Sequence, residues 1–256
     1  MKKLFFTSIF IAAAIAACTF SKNNENNDIW KKHGLKGKVK SVEEQMYYAV
    51  EKFREVVKGE RISASICKYD DKGNQTEWSD YDSSNGNLRF KNIYKYDDKG
   101  NIIDANSYYG SLNFKSTYEY NNNGNLIEES NYLPNGNLSF KYIYKYDDKG
   151  NKIEMSNYDS YGSLDKKSIY KYDEKGNMIE SCTYNSNESL EDKWVYKYND
   201  EGNQIERNIY KSDGSLNVFF DEYKYDSKGN WTEKIVYKSE AKIPTYIIER
   251  TIEYYE

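Results

Sequence analysis

One eight-residue phrase, Tyr144–Asn151 (YKYDDKGN), recurs with small changes seven times, ending in the Gly-Asn pairs at Gly73, Gly100, Gly124, Gly150, Gly176, Gly202 and Gly229. Its chemistry leaves few options. Tyr144 and Tyr146 alternate with Lys145, so in an extended chain both rings stand on one face. Asp147 to Gly150 reads as a type I turn: Asp can bond its own backbone two residues on, and Gly tolerates positive φ. A type I turn closed by a left-handed Gly is a common hairpin loop. A weaker turn lies midway, at Leu133-Pro134-Asn135-Gly136, Tyr161-Gly162-Ser163-Leu164 and Asp213-Gly214-Ser215-Leu216.

The turn spacing predicts a unit of about 26 residues holding two strands and two turns. The expected fold is all-β: a repetitive antiparallel hairpin meander, drawn out as a ribbon or a twisted open sheet in which neighbouring hairpins support each other. The chain has 28 Tyr and few aliphatic side chains. Tyr can bury its ring and keep its hydroxyl wet, which suits such a ladder.

Five segments follow. Residues 1–18 read as a signal peptide, with Lys2 and Lys3 before a short apolar run. Residues 19–33 begin with a polar, Asn-rich stretch and read as a flexible tether. Residues 34–59 form a divergent first unit with an insertion of about ten residues near 49–57, where Val42, Met46, Val50, Phe53 and Val57 also fit a helical stripe. This unit is expected to cap the repeats. Residues 60–237 carry the repeats. In the stretch 238–256, the run Tyr246–Tyr255 reads as a closing strand whose Glu249, Arg250 and Glu253 discourage edge pairing. Glu188, which stands where other units have Gly, points to strain or a different turn type.

Chemistry for catalysis is not apparent, and the expectation is a non-enzymatic chain without cofactor. His33 is the only histidine, which removes His-based metal sites and Ser-His or Cys-His pairs. Carboxylates such as Asp147, Asp173, Glu154 and Glu180 recur in every unit, so no acid/base pair stands out. The Asp-rich turns lack EF-hand spacing. With a net charge of −4 and no basic cluster, nucleic acid is not an expected partner. Cys67 and Cys182 lie four repeats apart, on the order of 40 Å along a ribbon, so no bond is expected between them.

Two resemblances add to this reading. Ile15-Ala16-Ala17-Cys18 resembles the lipobox of bacterial lipoproteins, which implies acylation of Cys18 and a membrane held through lipid. Thr19 after the cysteine points by analogy to the outer membrane of the cell envelope. The Tyr170–Asn177 copy and its relatives resemble the YD repeats of RHS proteins over about 190 of the 256 residues. That resemblance implies a hairpin ribbon and a link to carbohydrate binding. The chain is too short for the toxin-enclosing shell of that family. More distantly, its turns are similar to MORN-type repeats, and as a whole it is similar to small Tyr/Lys/Asn-rich bacterial lipoproteins.

The expected function is therefore a lipid-anchored, non-catalytic binding or scaffold module. Its candidate surface is the row Tyr96, Tyr120, Tyr146, Tyr172, Tyr198 and Tyr225, stacking on a glycan or another envelope polymer. The alternative is an immunity- or antitoxin-like protein that shields an effector protein.

Overall fold

All seven repeat turns share one bond, from the amide of the closing Asn to the side-chain oxygen of the Asp or Asn that opens the turn. Asp147 Oδ1 accepts from the Lys149 and Asn151 amides at 3.0 and 2.8 Å, and Oδ2 accepts from Asn151 Nδ2 at 2.9 Å. Gly150 takes φ 84°, a region an L side chain enters only at a cost. Asn replaces Asp in two copies and keeps the bond: Asn121 receives the Asn123 and Asn125 amides at 3.0 and 2.9 Å, and Asn199 the Asn203 amide at 2.9 Å. Glu188 keeps the usual turn bonds by adopting φ 59° itself, so the outcome at that site is strain and not a new turn type.

The computed structural model describes residues 30, 33–110 and 112–256. Sixteen strands follow in order: β1 (Val39–Lys52), β2 (Glu55–Tyr69), β3 (Gln75–Asp82), β4 (Leu88–Tyr96), β5 (Ile102–Tyr109), β6 (Leu112–Tyr120), β7 (Leu126–Tyr132), β8 (Leu138–Tyr146), β9 (Lys152–Asp159), β10 (Leu164–Tyr172), β11 (Met178–Asn185), β12 (Leu190–Tyr198), β13 (Gln204–Lys211), β14 (Leu216–Tyr225), β15 (Trp231–Lys238) and β16 (Ile243–Tyr254). Every strand pairs antiparallel with its sequence neighbours, and β1 pairs with β16. The expected ribbon or open sheet is thus corrected to a closed barrel.

Two features explain the closure. After each Gly-Asn turn the register slips by one residue: Tyr146 faces Lys152 but Lys145 faces Glu154, leaving Ile153 as the extra residue. The same slip occurs beside Tyr69, Tyr96, Tyr120, Tyr172, Tyr198 and Tyr225. A bulge increases local twist and bends its strand, so one per hairpin curls the sheet steadily. The second feature is the seam itself. Glu249, Arg250 and Glu253, expected to repel an edge partner, instead accept one. Glu249 takes Lys58 Nζ at 2.9 Å, Arg250 Nε donates to Glu44 at 3.0 Å, and Glu253 takes Lys40 Nζ at 2.7 Å. Sequence sign alone could not reveal that β1 and β2 carry the matching charges.

The helical stripe is overturned as well. Residues 49–57 form the tip of the β1–β2 hairpin, with Lys52 opposite Glu55 and Phe53 and Arg54 at φ 53° and 68°. The pairing of β1 with β16 stops at Tyr48, and that of β2 with β3 stops at Ser63, so the tip projects beyond the rim. The alternating residues of a two-stranded ribbon happened to coincide with a helical period.

The Gly-Asn turns make one rim of the barrel. At that rim Trp30, Leu35, Val39, Val42 and Tyr69 form the buried apolar cluster, with Cys67, Ile252, Tyr254 and Tyr255 against it. Trp30 Nε1 donates to the Val39 carbonyl at 2.7 Å, and a Cβ added at Gly73 would sit 2.9 Å from the indole. Asn230 grips the backbone of Lys36 on both sides: Oδ1 accepts the amide and Nδ2 donates to the carbonyl, each at 2.7 Å. Residue 30 falls within the stretch expected to be a tether, but it is pinned to the seam. Cys18 and residues 19–29 lie outside the described residues.

Candidate functional site

Strand pairing carries one face continuously round the wall. Val42 faces Cys67, Cys67 faces Trp78, Tyr118 faces Glu129, Glu129 faces Tyr142, and Tyr144 faces Met155. Further on, Tyr196 faces Arg207, Arg207 faces Phe219, Tyr223 faces Lys234, and Glu44 faces Arg250. This is the inner wall. Burial pushes the phenols of Tyr118, Tyr144, Tyr170, Tyr196 and Tyr223 up, and the Glu129 carboxyl likewise. Yet each of these side chains keeps partial contact with solvent. Enclosure combined with access to water describes the lining of a lumen, not a packed core.

The outer wall is a ladder of ion pairs. Glu154 lies 2.9 Å from Lys145 and 3.4 Å from Lys167; Glu180 lies 2.8 Å from Lys171 and 2.7 Å from Lys193. The pattern repeats at Glu77 with Lys68 and Lys91, at Glu128 with Lys141, at Glu206 with Lys197 and at Glu233 with Lys224. The lysines keep much of their surface in water, so each pair adds little stability by itself.

The tyrosines expected to form a binding row have a common structural task. Tyr146 donates to the Leu126 carbonyl at 2.7 Å, and Tyr96, Tyr120, Tyr172 and Tyr198 donate to Gln75, Ile102, Lys152 and Met178 at 2.7, 3.1, 2.8 and 2.8 Å. Each acceptor opens its strand, before the ladder to the next strand begins; for β7 and β8 that ladder starts at Glu128 and Ile143. The hydroxyl therefore supplies the donor that the sheet does not. Burial lifts Tyr146 and Tyr198 to about 12. Tyr225 departs from the row. Tyr223 takes over the bond, reaching the Gln204 carbonyl at 2.7 Å, and Tyr225 is left 43% exposed.

A second group was not apparent from sequence. Five strands flanking the seam each place a charge on the middle of the inner wall: Arg207 on β13, Asp221 on β14, Lys234 on β15, Arg250 on β16 and Glu44 on β1. Arg207 lies between two rings, 5.5 Å from the centre of Trp194 and 4.9 Å from that of Phe219. Arg250 stacks 3.4 Å from the centre of Trp231. Asp221 is 6% exposed; its Oδ2 accepts from Gln204 Nε2 at 2.9 Å, while among the described residues its buried Oδ1 has no partner, and neither has the buried Nε of Arg207. Burial pulls the Lys234 ammonium below the usual lysine range; Asp221 and Glu44 oppose this, and Arg207 and Arg250 add to it. The sequence hinted at it in Trp231, standing where other units have Gln, Ile, Leu, Lys or Met.

The turn carboxylates bond their own backbones, and no group of three or more metal-type ligands is present among the described residues. Cys67 and Cys182 sit on opposite faces of the wall, on β2 and β11.

These features define a closed, sixteen-stranded antiparallel β-barrel with a polar and aromatic lumen. A family profile described only as an uncharacterised protein matches residues 41–144. No curated protein matches the chain. Among solved structures, a porin-like protein from Bacteroides uniformis is similar at 12% identity and TM-score 0.57, over 86% of this chain and 98% of that one. A porin-like protein from Bacteroides vulgatus (12% identity, 85% and 99% covered) and the Tc holotoxin pore of Photorhabdus luminescens (14%, 82% and 13%) give TM-scores of 0.33 and 0.34, which do not establish a shared fold. The likeness to the first is one of fold.

Proposed function

We propose that the chain is a non-catalytic binding protein of the bacterial cell envelope, anchored through lipid on Cys18, whose barrel stands in water beside the membrane and takes a glycan or another polar solute into its lumen. One observation carries this: the two faces of the wall are built the wrong way round for a membrane span. A lipid-facing Lys or Arg near the bilayer midplane costs roughly 2–4 kcal/mol, and here such charges recur on strand after strand. The inner wall, by contrast, offers Tyr and Trp rings beside hydrogen-bonding groups, the usual furniture of a small-molecule site. The porin-like relative supports the envelope setting as an analogy. The Lys36–Asn230 and Trp30–Gly73 contacts hold residues 30 and 36 at the Gly-Asn rim, which supports an anchor on that side.

The test is a glycan array and a peptidoglycan pull-down with residues 19–256, alongside fatty-acid labelling of the full chain and its Cys18→Ser variant. Binding to a saccharide together with labelling that depends on Cys18 supports the reading. Absence of any captured polymer or sugar retires the glycan part, and label on the Cys18→Ser variant retires the anchor.

The opposite rim favours a second reading, a protein partner. The β1–β2 tip holds Phe53 fully exposed in a left-handed conformation, and Tyr161, Tyr109 and Leu88 are exposed on the same rim. Non-glycine residues in that conformation concentrate where structure serves binding. Capture of a specific effector by the full chain, lost on Phe53→Ser, supports it.

A further inference from the structure

The five charges flanking the seam have hydrogen-bonding capacity that the protein leaves unused. Among the described residues, Arg207 Nε is a buried donor without an acceptor, and Asp221 Oδ1 is a buried acceptor without a donor. Lys234 has no carboxylate within ion-pair distance among the described residues, and its Nζ lies 5.4 Å from the centre of the Trp231 ring. Leaving such groups unmet costs free energy in any protein, so a native wall that does so at both Arg207 and Asp221, beside the ammonium of Lys234, is matched to something from outside.

The balance of charge narrows what that is. Arg207, Lys234 and Arg250 against Glu44 and Asp221 leave one net positive charge, and the Glu44–Arg250 pair is already closed at 3.0 Å. The open groups are then two cations and one carboxylate oxygen. A simple cation would meet Arg207 and Lys234. A bare anion would satisfy those two but leave Asp221 Oδ1 facing negative charge. A ligand that is an anion at one atom and a donor at the next meets all three. Trp194, Phe219 and Trp231 add apolar faces for its carbon frame.

We propose that Arg207, Asp221 and Lys234 form a binding site for a carboxylate with a hydrogen-bond donor on a neighbouring atom, the chemistry shared by uronic-acid sugars and α-amino acids. This rests on the lumen-binding reading and names the ligand class for it. The carboxylate sits on Lys234 and Arg207, and the adjacent hydroxyl or ammonium donates to Asp221 Oδ1. An anion there restores the full charge of Lys234, which burial opposes, so binding takes up a proton at pH near or above the lowered lysine value. The groups facing Lys234 are Asp221 and Tyr223 on β14, Arg207 on β13, Arg250 on β16 and Glu44 on β1.

The test is calorimetry of the full chain in detergent with galacturonate oligomers, glutamate, and the neutral galactose oligomers as contrast, in two buffers of different ionisation enthalpy. One acid class is expected to bind, which identifies the source, with the neutral oligomers about tenfold or more weaker. Lys234→Met and Arg207→Gln each lose about tenfold or more, with barrel spectra unchanged. Asp221→Asn weakens the acid but not the same acid with its neighbouring donor methylated. Neutral and acidic oligomers binding alike, or Lys234→Met binding as well as the parent, overturns the assignment while leaving a lumen that binds sugars. No binding by any of the three ligand sets overturns the assignment and the lumen-binding reading together.

Discussion

The bond from the Tyr146 hydroxyl to the Leu126 carbonyl can be removed with almost no other change. Tyr146→Phe keeps the ring and its burial but withdraws a donor at 2.7 Å from a carbonyl that the β7–β8 ladder does not reach. A neutral hydrogen bond of this kind contributes about 1 kcal/mol net, and about 1–3 kcal/mol is at stake if the acceptor is left dry. Tyr120 and Tyr172 make the same bond two strands away on either side, about 10 Å at ordinary strand spacing, and Tyr96 and Tyr198 make it four strands away, about 19 Å. At that separation the effects should nearly add, so replacing all five by Phe removes roughly 5 kcal/mol, a large part of an ordinary domain's stability. Urea unfolding, read at constant slope, measures both. Tyr161→Phe is the control, because Tyr161 is 92% exposed and its loss should cost less than about 0.5 kcal/mol. If Tyr146→Phe shifts the midpoint no more than Tyr161→Phe does, the hydroxyl row is not holding the strand ends and the reasoning fails.

Other outcomes follow from the same geometry. Trp30→Ala should cost about 3 kcal/mol or more in urea unfolding, since it empties the buried cluster at the seam. Gly150→Ala should cost about 1–2 kcal/mol from its φ of 84°, and Gly73→Ala more, because its new Cβ would also strike Trp30; paired melts rank them. Lys171 and Lys193 hold the Glu180 carboxyl below the usual range, so its contribution is full above the ordinary carboxylate pKa and fades as pH falls through the lowered value. Glu180→Gln should therefore flatten the acid limb of the stability profile. Lys234 has the opposite consequence: its folded pKa is lowered, so the unfolded chain holds the proton more tightly and stability rises with pH between the two values. Lys234→Met should be more stable than the parent at pH 7, as judged by thermal melts, and should lose that rise.

What the sequence made plain was local. The Asp-x-Lys-Gly-Asn turn and the Tyr-Lys-Tyr alternation dictate hairpins, and hairpins they are. Closure depended on features that leave no mark on a periodic reading. Ile153 and its equivalents look like ordinary strand residues, and only pairing reveals them as the extra residue that bends each hairpin. The seam joins Val39–Tyr48 to Tyr246–Tyr254, two stretches without the repeat phrase, whose charges are complementary only across about 200 residues of chain. The Tyr row was visible as a row, but its hydroxyls' partners were not, because each acceptor lies on the preceding strand. The charged cluster was hidden for a further reason. It takes one residue from each of five strands, and none of those residues recurs from unit to unit.

Closure of the wall between β1 and β16 is tested most directly by a disulfide. Glu43 and Thr251 face each other across the seam, and opposed residues in antiparallel strands have Cα atoms about 4.5–5.5 Å apart, within disulfide reach. In a chain with Cys67→Ser and Cys182→Ser, the double substitution Glu43→Cys/Thr251→Cys should oxidise in air to one intramolecular bond, seen as a linked peptide pair by mass spectrometry. Thiols that stay reduced, while a matched pair on β8 and β9 oxidises under the same conditions, would mean that the two ends of the chain do not meet.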